Sequence, residues 1–221
     1  MRTHYPMILF IAVAIILFSC NTNSAQQAIN KENIILPSAK HNIDSIQYQN
    51  LINRSEEAFT FCTKKKYNTD YCLLINMQKH SGTFRFYVWD FNAKHAVDSG
   101  LVSHGCCDKL WSNDESKEKV QFSNVPESHC SSLGKYRVGK RGVSNWGIKV
   151  NYLIHGLEAT NNNAVERSVV LHSWEAITDA EIYPKGSAES WGCPAVSNAF
   201  MQRLDERLQK SNKSVLLWIF N

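Results

Sequence analysis

One cysteine of this 221-residue chain stands between a glycine and a proline, in SAESWGCPAVSN at residues 187–198. A thiol nucleophile needs a base within hydrogen-bond reach, a group that orients the base, and donors for an oxyanion. Gly192 would let the backbone come close to a substrate and present N–H groups beside the Cys193 sulfur. Pro194 fixes φ and stiffens the turn. A helix predicted from Ser197 adds a dipole that favours a thiolate, so the expected thiol pKa lies below the ordinary ~8.5, with an imidazolium as its partner. Two histidines end apolar runs and are candidate bases: His155 in YLIHG and His172 in VVLHS. A zinc site built from His155, His172 and Cys193 is the competing chemistry. Structural zinc sites use short paired spacings, and these three residues have none.

The same cysteine could instead be half of a disulfide, and the N-terminus makes that a serious alternative. Residues 1–20, MRTHYPMILFIAVAIILFSC, place Arg2 before an apolar run from Met7 to Phe18. That run is too short for an ordinary bilayer span, which takes about 20 apolar residues, and it has the layout of a secretory signal. Its end, LFSC, resembles a bacterial lipobox, in which Cys20 would receive lipid and become the first mature residue. The expected protein is therefore exported to the periplasm or cell envelope and held to a membrane by an N-terminal lipid. Residues 21–42 are polar and aperiodic and read as a flexible tether. Residues 43–221 remain for a single domain with one core.

Seven cysteines occur, at 20, 62, 72, 106, 107, 130 and 193. In an oxidising compartment disulfides are the default. Cys62 and Cys72 flank a polar stretch, TKKKYNTDY, that could close as a bridged loop. Cys106 and Cys107 are adjacent and poorly placed to bond each other, but either could reach Cys130. That scheme leaves Cys193 as a thiol; counting alone equally permits three full bridges. The net charge of +4 carries no basic run long enough to suggest nucleic acid.

Several elements must position Cys193. Ile43, Ile46, Leu51 and Ala58 lie along one face of a helix predicted over 43–58. Runs at 71–78, 83–91 and 95–103, separated by turn residues, predict a β-meander in which Phe84, Phe86 and Val88 share one face and Arg85, Tyr87 and Trp89 the other. Residues 105–134 are aperiodic, rich in Ser, Asn and Cys, and read as an ordered cover pinned by disulfides. Strands are predicted at KYRVGK, WGIKVNYLIHGL and RSVVLHSW. Ser197 then caps a helix whose Phe200, Leu204 and Leu208 form a stripe, and SVLLWIFN is a buried closing strand. The expected fold is mainly β, a sandwich or barrel with helices at its periphery.

Set in order, LVSHG, VQFSNVPESHCSSLGKY, HGLEATNNNAVERSVVLHS and ESWGCPAV resemble consecutive blocks of the murein L,D-transpeptidases, in the GCPA branch of the YkuD-like superfamily. The resemblance covers about residues 70–200. It implies Cys193 as the acylated nucleophile and His172, 21 residues upstream, as its general base. It also implies that the backbone carbonyl of Ser173 orients the imidazole, its side chain being irrelevant, and that the N–H groups of Gly192 and Cys193 form the oxyanion hole. Ser190 and Trp191 would contact substrate, with His104 and His155 as strand-end residues lining the site. The implied donor is a peptidoglycan stem tetrapeptide, joined to an acceptor amine; water as acceptor would make a carboxypeptidase. No metal or organic cofactor is needed for thiol–imidazole acyl transfer. At residue 189 the branch often has Arg. Glu189 here would repel a substrate carboxylate if it faced the site, which keeps open a non-catalytic wall-binding lipoprotein with Cys193 bridged. Arg167 and Glu158 are a candidate ion pair, or simply two solvated charges.

Overall fold

The computed structural model describes residues 39–108 and 119–221. The signal-like segment, Cys20 and most of the tether lie outside the described residues. Among these residues two helices and eight strands run in the order α1 (Ala39–Lys65), β1 (Tyr71–Asn76), β2 (Phe86–Asp90), β3 (His95–Gly100), β4 (Gly134–Val143), β5 (Val150–Gly156), β6 (Val170–Ser173), β7 (Ala195–Val196), α2 (Asn198–Gln209) and β8 (Leu216–Phe220). The strands form one sheet in the order β3-β2-β1-β8-β4-β5-β6-β7. Neighbours are antiparallel except β1 with β8 and β6 with β7. The chain beyond β3 reaches the opposite edge: Val102 bridges Val196, and Ser103 N–H donates to Ala195 O at 2.9 Å. The sheet is thereby a nearly closed barrel, the expected mainly β architecture with peripheral helices.

β1 and β8 are buried on both faces, which explains why YCLLIN and LLWIF are apolar without alternation. Leu73, Ile75, Leu217 and Ile219 point into the barrel, where α2 adds Phe200, Met201 and Leu204. Cys72, Leu74, Trp218 and Phe220 point outward against Leu51, Ala58 and Cys62 of α1. The Ser197 hydroxyl accepts from Phe200 N–H at 3.2 Å and caps α2 as the sequence predicts.

The first helix differs from its prediction. It runs to Lys65, and its buried stripe is Leu51, Ser55, Ala58 and Cys62, whereas Ile46 is 62% exposed. The period continues through FTFCTKK because the outer face of β1 and β8 needs covering over that length. Helix geometry therefore carries Cys62 onto the core, away from any bridged loop. Cys62 and Cys72 are buried thiols without a disulfide, and burial pushes Cys62 up to about 12. The one disulfide among the described residues joins Cys107 to Cys130 and pins the cover.

Candidate active site

Parallel pairing of β6 with β7 sets His172 opposite Ala195, two residues past Cys193. The two side chains line one cleft of about 410 Å³, together with Trp146, Trp174, Ser190 and Trp191. His172 is buried, and its Nδ1 lies 2.9 Å from Ser173 O. A carbonyl only accepts, so Nδ1 carries the proton and Nε2 keeps the lone pair of a base.

The turn bearing Cys193 is held by backbone and hydroxyl groups. Ser190 N–H donates to His104 O at 2.8 Å, and Cys106 N–H to Ser190 O at 2.9 Å. The Cys193 carbonyl accepts from Ser190 Oγ at 2.6 Å and from Ser103 Oγ at 3.0 Å. Gly192 sits at φ +101°, where a Cβ would lie 2.6 Å from Cys130 O, so the position demands glycine. Its N–H is committed to Ser190 Oγ at 3.2 Å, which corrects the expectation that it waits for an oxyanion. Val170 N–H donates instead to Cys193 Sγ at 3.4 Å, a donor that strand periodicity does not reveal.

Burial dominates the titration of both reactive groups. It lowers the His172 pKa, with the bond to Ser173 working against it. It raises the Cys193 thiol, opposed by the Val170 N–H and by the charge of Arg167. Both directions favour the neutral thiol and the neutral imidazole over the thiolate–imidazolium pair expected from the helix dipole. Desolvation penalises the sulfur anion before any substrate arrives.

Ser173 contributes more than its carbonyl. Its hydroxyl accepts from Ile148 N–H at 3.0 Å, and Gly147, at φ +54°, leaves no room for a Cβ, which would lie 2.0 Å from that oxygen. This contact ties the β4–β5 hairpin tip to the base and brings Trp146 to the cleft, where its ring centroid lies 6.0 Å from that of Trp174. Residues 146–149, expected to begin a strand, form the hairpin turn instead. Trp191, 59% exposed, packs on His129 of the cover at 4.9 Å.

Other residues expected at the site lie elsewhere. His104 is 1% exposed and does not line the cleft. Its Nδ1 accepts from Arg85 Nη2 at 2.9 Å, and its Nε2 lies 3.5 Å from Glu189 Oε1. Glu189 is itself 2% exposed, so it faces this buried group and cannot repel a substrate carboxylate in the cleft. His155 lies on β5 opposite Arg137, against Gly139, and is likewise absent from the cleft wall. Nor do Arg167 and Glu158 pair. Glu158 binds Lys135 at 3.2 Å, while Arg167 donates to Ser123 O, Ser132 Oγ and Cys130 O at 3.0, 2.6 and 2.5 Å. Among the described residues, no group of three or more His, Cys, Asp or Glu is placed to hold a metal.

No curated protein sequence matches the chain. Among solved structures, it is similar to the helical cell shape determining protein Pgp2 from Campylobacter jejuni, with 11% identity, 69% of this chain and 48% of that one covered, and a TM-score of 0.40. It is also similar to the Ldtfm–avibactam carbamoyl enzyme, with 9% identity, 69% and 49% covered, and a TM-score of 0.41. An L,D-transpeptidase from Xylanimonas cellulosilytica gives 12% identity, 73% and 68% covered, and a TM-score of 0.38. The chain thus spans about half the length of the first two. The family model for the L,D-transpeptidase catalytic domain matches residues 42–219, nearly the whole of the described chain, and the protein belongs to that family.

Proposed function

We propose that the protein is a peptidoglycan L,D-transpeptidase that works through a Cys193 thioester. The observation that carries this reading is the cleft itself: a thiol and an imidazole share it, and the imidazole is held by Ser173 O as the Nε2-basic tautomer. Nε2 takes the thiol proton as Sγ bonds to the carbonyl carbon of the third, diamino-acid residue of a stem tetrapeptide. The electron pair of the carbonyl moves to oxygen, with the Cys193 N–H as the donor offered to it, while Val170 N–H stays on the sulfur side. Collapse of that intermediate breaks the bond to the terminal D-alanine, whose amine leaves with the proton from Nε2. An acceptor amine then attacks the thioester, gives its proton to Nε2, and displaces the thiolate, which recovers the proton. The product is a cross-link between two third residues.

Water in place of the amine would give an L,D-carboxypeptidase. A non-catalytic role with Cys193 bridged loses its support, since Cys193 carries no disulfide. The export signal and a lipid on Cys20 would hold the enzyme against the wall polymer that it modifies. Incubation of the full-length protein with disaccharide tetrapeptides, followed by mass analysis of the products, tests the assignment. Dimers linked through third residues are expected. Tripeptide monomers alone would establish the carboxypeptidase, and unchanged substrate would refute both.

A further inference from the structure

Arg167 has no carboxylate within ion-pair distance among the described residues. Its guanidinium is held by three oxygens of the cover: Nη1 donates to Ser123 O and Ser132 Oγ, and Nη2 to Cys130 O. Nη2 lies 3.1 Å from the point where a Cβ on Gly192 would be, so the charge sits directly against the nucleophile turn. The segment that follows wraps the sulfur, with Ser168 O at 4.0 Å and Val170 N at 3.4 Å from Sγ. Arg167 is not part of the cleft wall, and a guanidinium stays charged at any physiological pH. We propose that Arg167 is the electrostatic positioning residue of this site: clamped by the cover beside Gly192, it favours the sulfur anion of Cys193 as the thiol is deprotonated and again as the thiolate departs.

This role accounts for a neutral resting pair that still reacts. His172 need only remove the proton, because a fixed cation already compensates the charge that appears on sulfur. The other charged or titratable groups around the turn do not supply that compensation. His172 shares the cleft with Cys193 and its Nδ1 is held by Ser173 O, His129 packs on Trp191, and Glu189 faces His104, whose other ring nitrogen binds Arg85. The Tyr136 hydroxyl donates to Ser132 O beneath the clamp, and burial keeps it protonated.

The inference rests on Cys193 being the nucleophile, but its test reads the thiol and requires no turnover. Iodoacetamide alkylation of Cys193 is followed against pH in the full-length protein, with the modified peptide quantified by mass spectrometry. In Arg167→Gln the alkylation midpoint should rise by about one pH unit or more, which is about a tenfold slower reaction at neutral pH. Arg167→Lys keeps the charge without the planar fork, and its midpoint should stay within about half a unit of the wild type. An Arg167→Gln protein that is folded and titrates like the wild type overturns the proposal. So does an Arg167→Lys midpoint raised by a full unit, which decides the matter even where the glutamine variant does not fold. A purely structural role would lower the melting temperature of both variants and leave the titration in place.

Discussion

Replacing Gly192 by alanine should damage both stability and reactivity. At φ +101° an L residue pays about 1–3 kcal/mol of backbone strain. The added Cβ would also lie 2.6 Å from Cys130 O and 3.1 Å from Arg167 Nη2. The first neighbour is backbone tied to Cys107 by the disulfide, so it yields little, and relieving such overlap costs about 1–3 kcal/mol more. For a folded unit of this size each kcal/mol lowers the melting temperature by about 2–4 °C, so the loss should fall between about 4 and 24 °C. Displacement of the turn by about an ångström should slow acylation of Cys193 by ~100-fold. Thermal melts and acylation rates by intact mass provide the two readouts. Gly142→Ala serves as the control, because there the Cβ meets only the side chain of Asn151. A Gly192→Ala protein that melts and acylates like the wild type would refute the close approach between turn and cover.

Four further outcomes follow from the same geometry. His172→Gln should slow acylation by ~10²–10⁴-fold at neutral pH. In the wild type, burial holds the His172 pKa below 6.5, so the stability tied to its neutral form is complete above 6.5. That contribution is lost as the pH falls through the lowered folded value, and acylation should fall with it; a reaction that speeds up on acidification would contradict the base assignment. Reducing the Cys107–Cys130 bridge, which closes a 23-residue span, should cost about 3 kcal/mol in urea unfolding, and an unchanged midpoint would show that the cover is held without it. Glu189→Arg removes the carboxylate beside His104 and buries a guanidinium against the ring that Arg85 already binds, so it should destabilise the fold by about 3–5 kcal/mol. A variant of normal stability with improved acylation would place residue 189 in the cleft instead.

The elements that carry their own periodicity are legible in the amino-acid sequence alone: α2 with its Ser197 cap, the β1–β3 meander, and the buried closing strand β8. Cys193 and His172 stand out there too, because a thiol on a glycine turn and a histidine at a strand end are local patterns. What the sequence conceals depends on partners distant in the chain. Alternation puts Arg85 on a strand face, yet β2 begins at Phe86 and Arg85 turns inward to bond Val102 O, Lys79 O and His104. Arg167 gives no signal because its partners are oxygens of a cover more than 30 residues upstream. Glu189 misleads for the same reason, since only the fold shows that it faces His104. The expected Cys62–Cys72 bridge is absent because helical burial, not loop closure, places Cys62. The Asn–Trp–Gly turn at 145–147 is the one local signal that strand periodicity masks, since Gly147 at positive φ marks a hairpin tip.

The central claim is that Cys193 is an acylating thiol, and intact-protein mass spectrometry after exposure to a carbapenem tests it most directly. The full-length protein should gain the mass of one covalently opened carbapenem, and Cys193→Ala should gain none. An adduct that persists in Cys193→Ala, or no adduct on a wild-type protein whose Cys193 is still a thiol, would contradict the account.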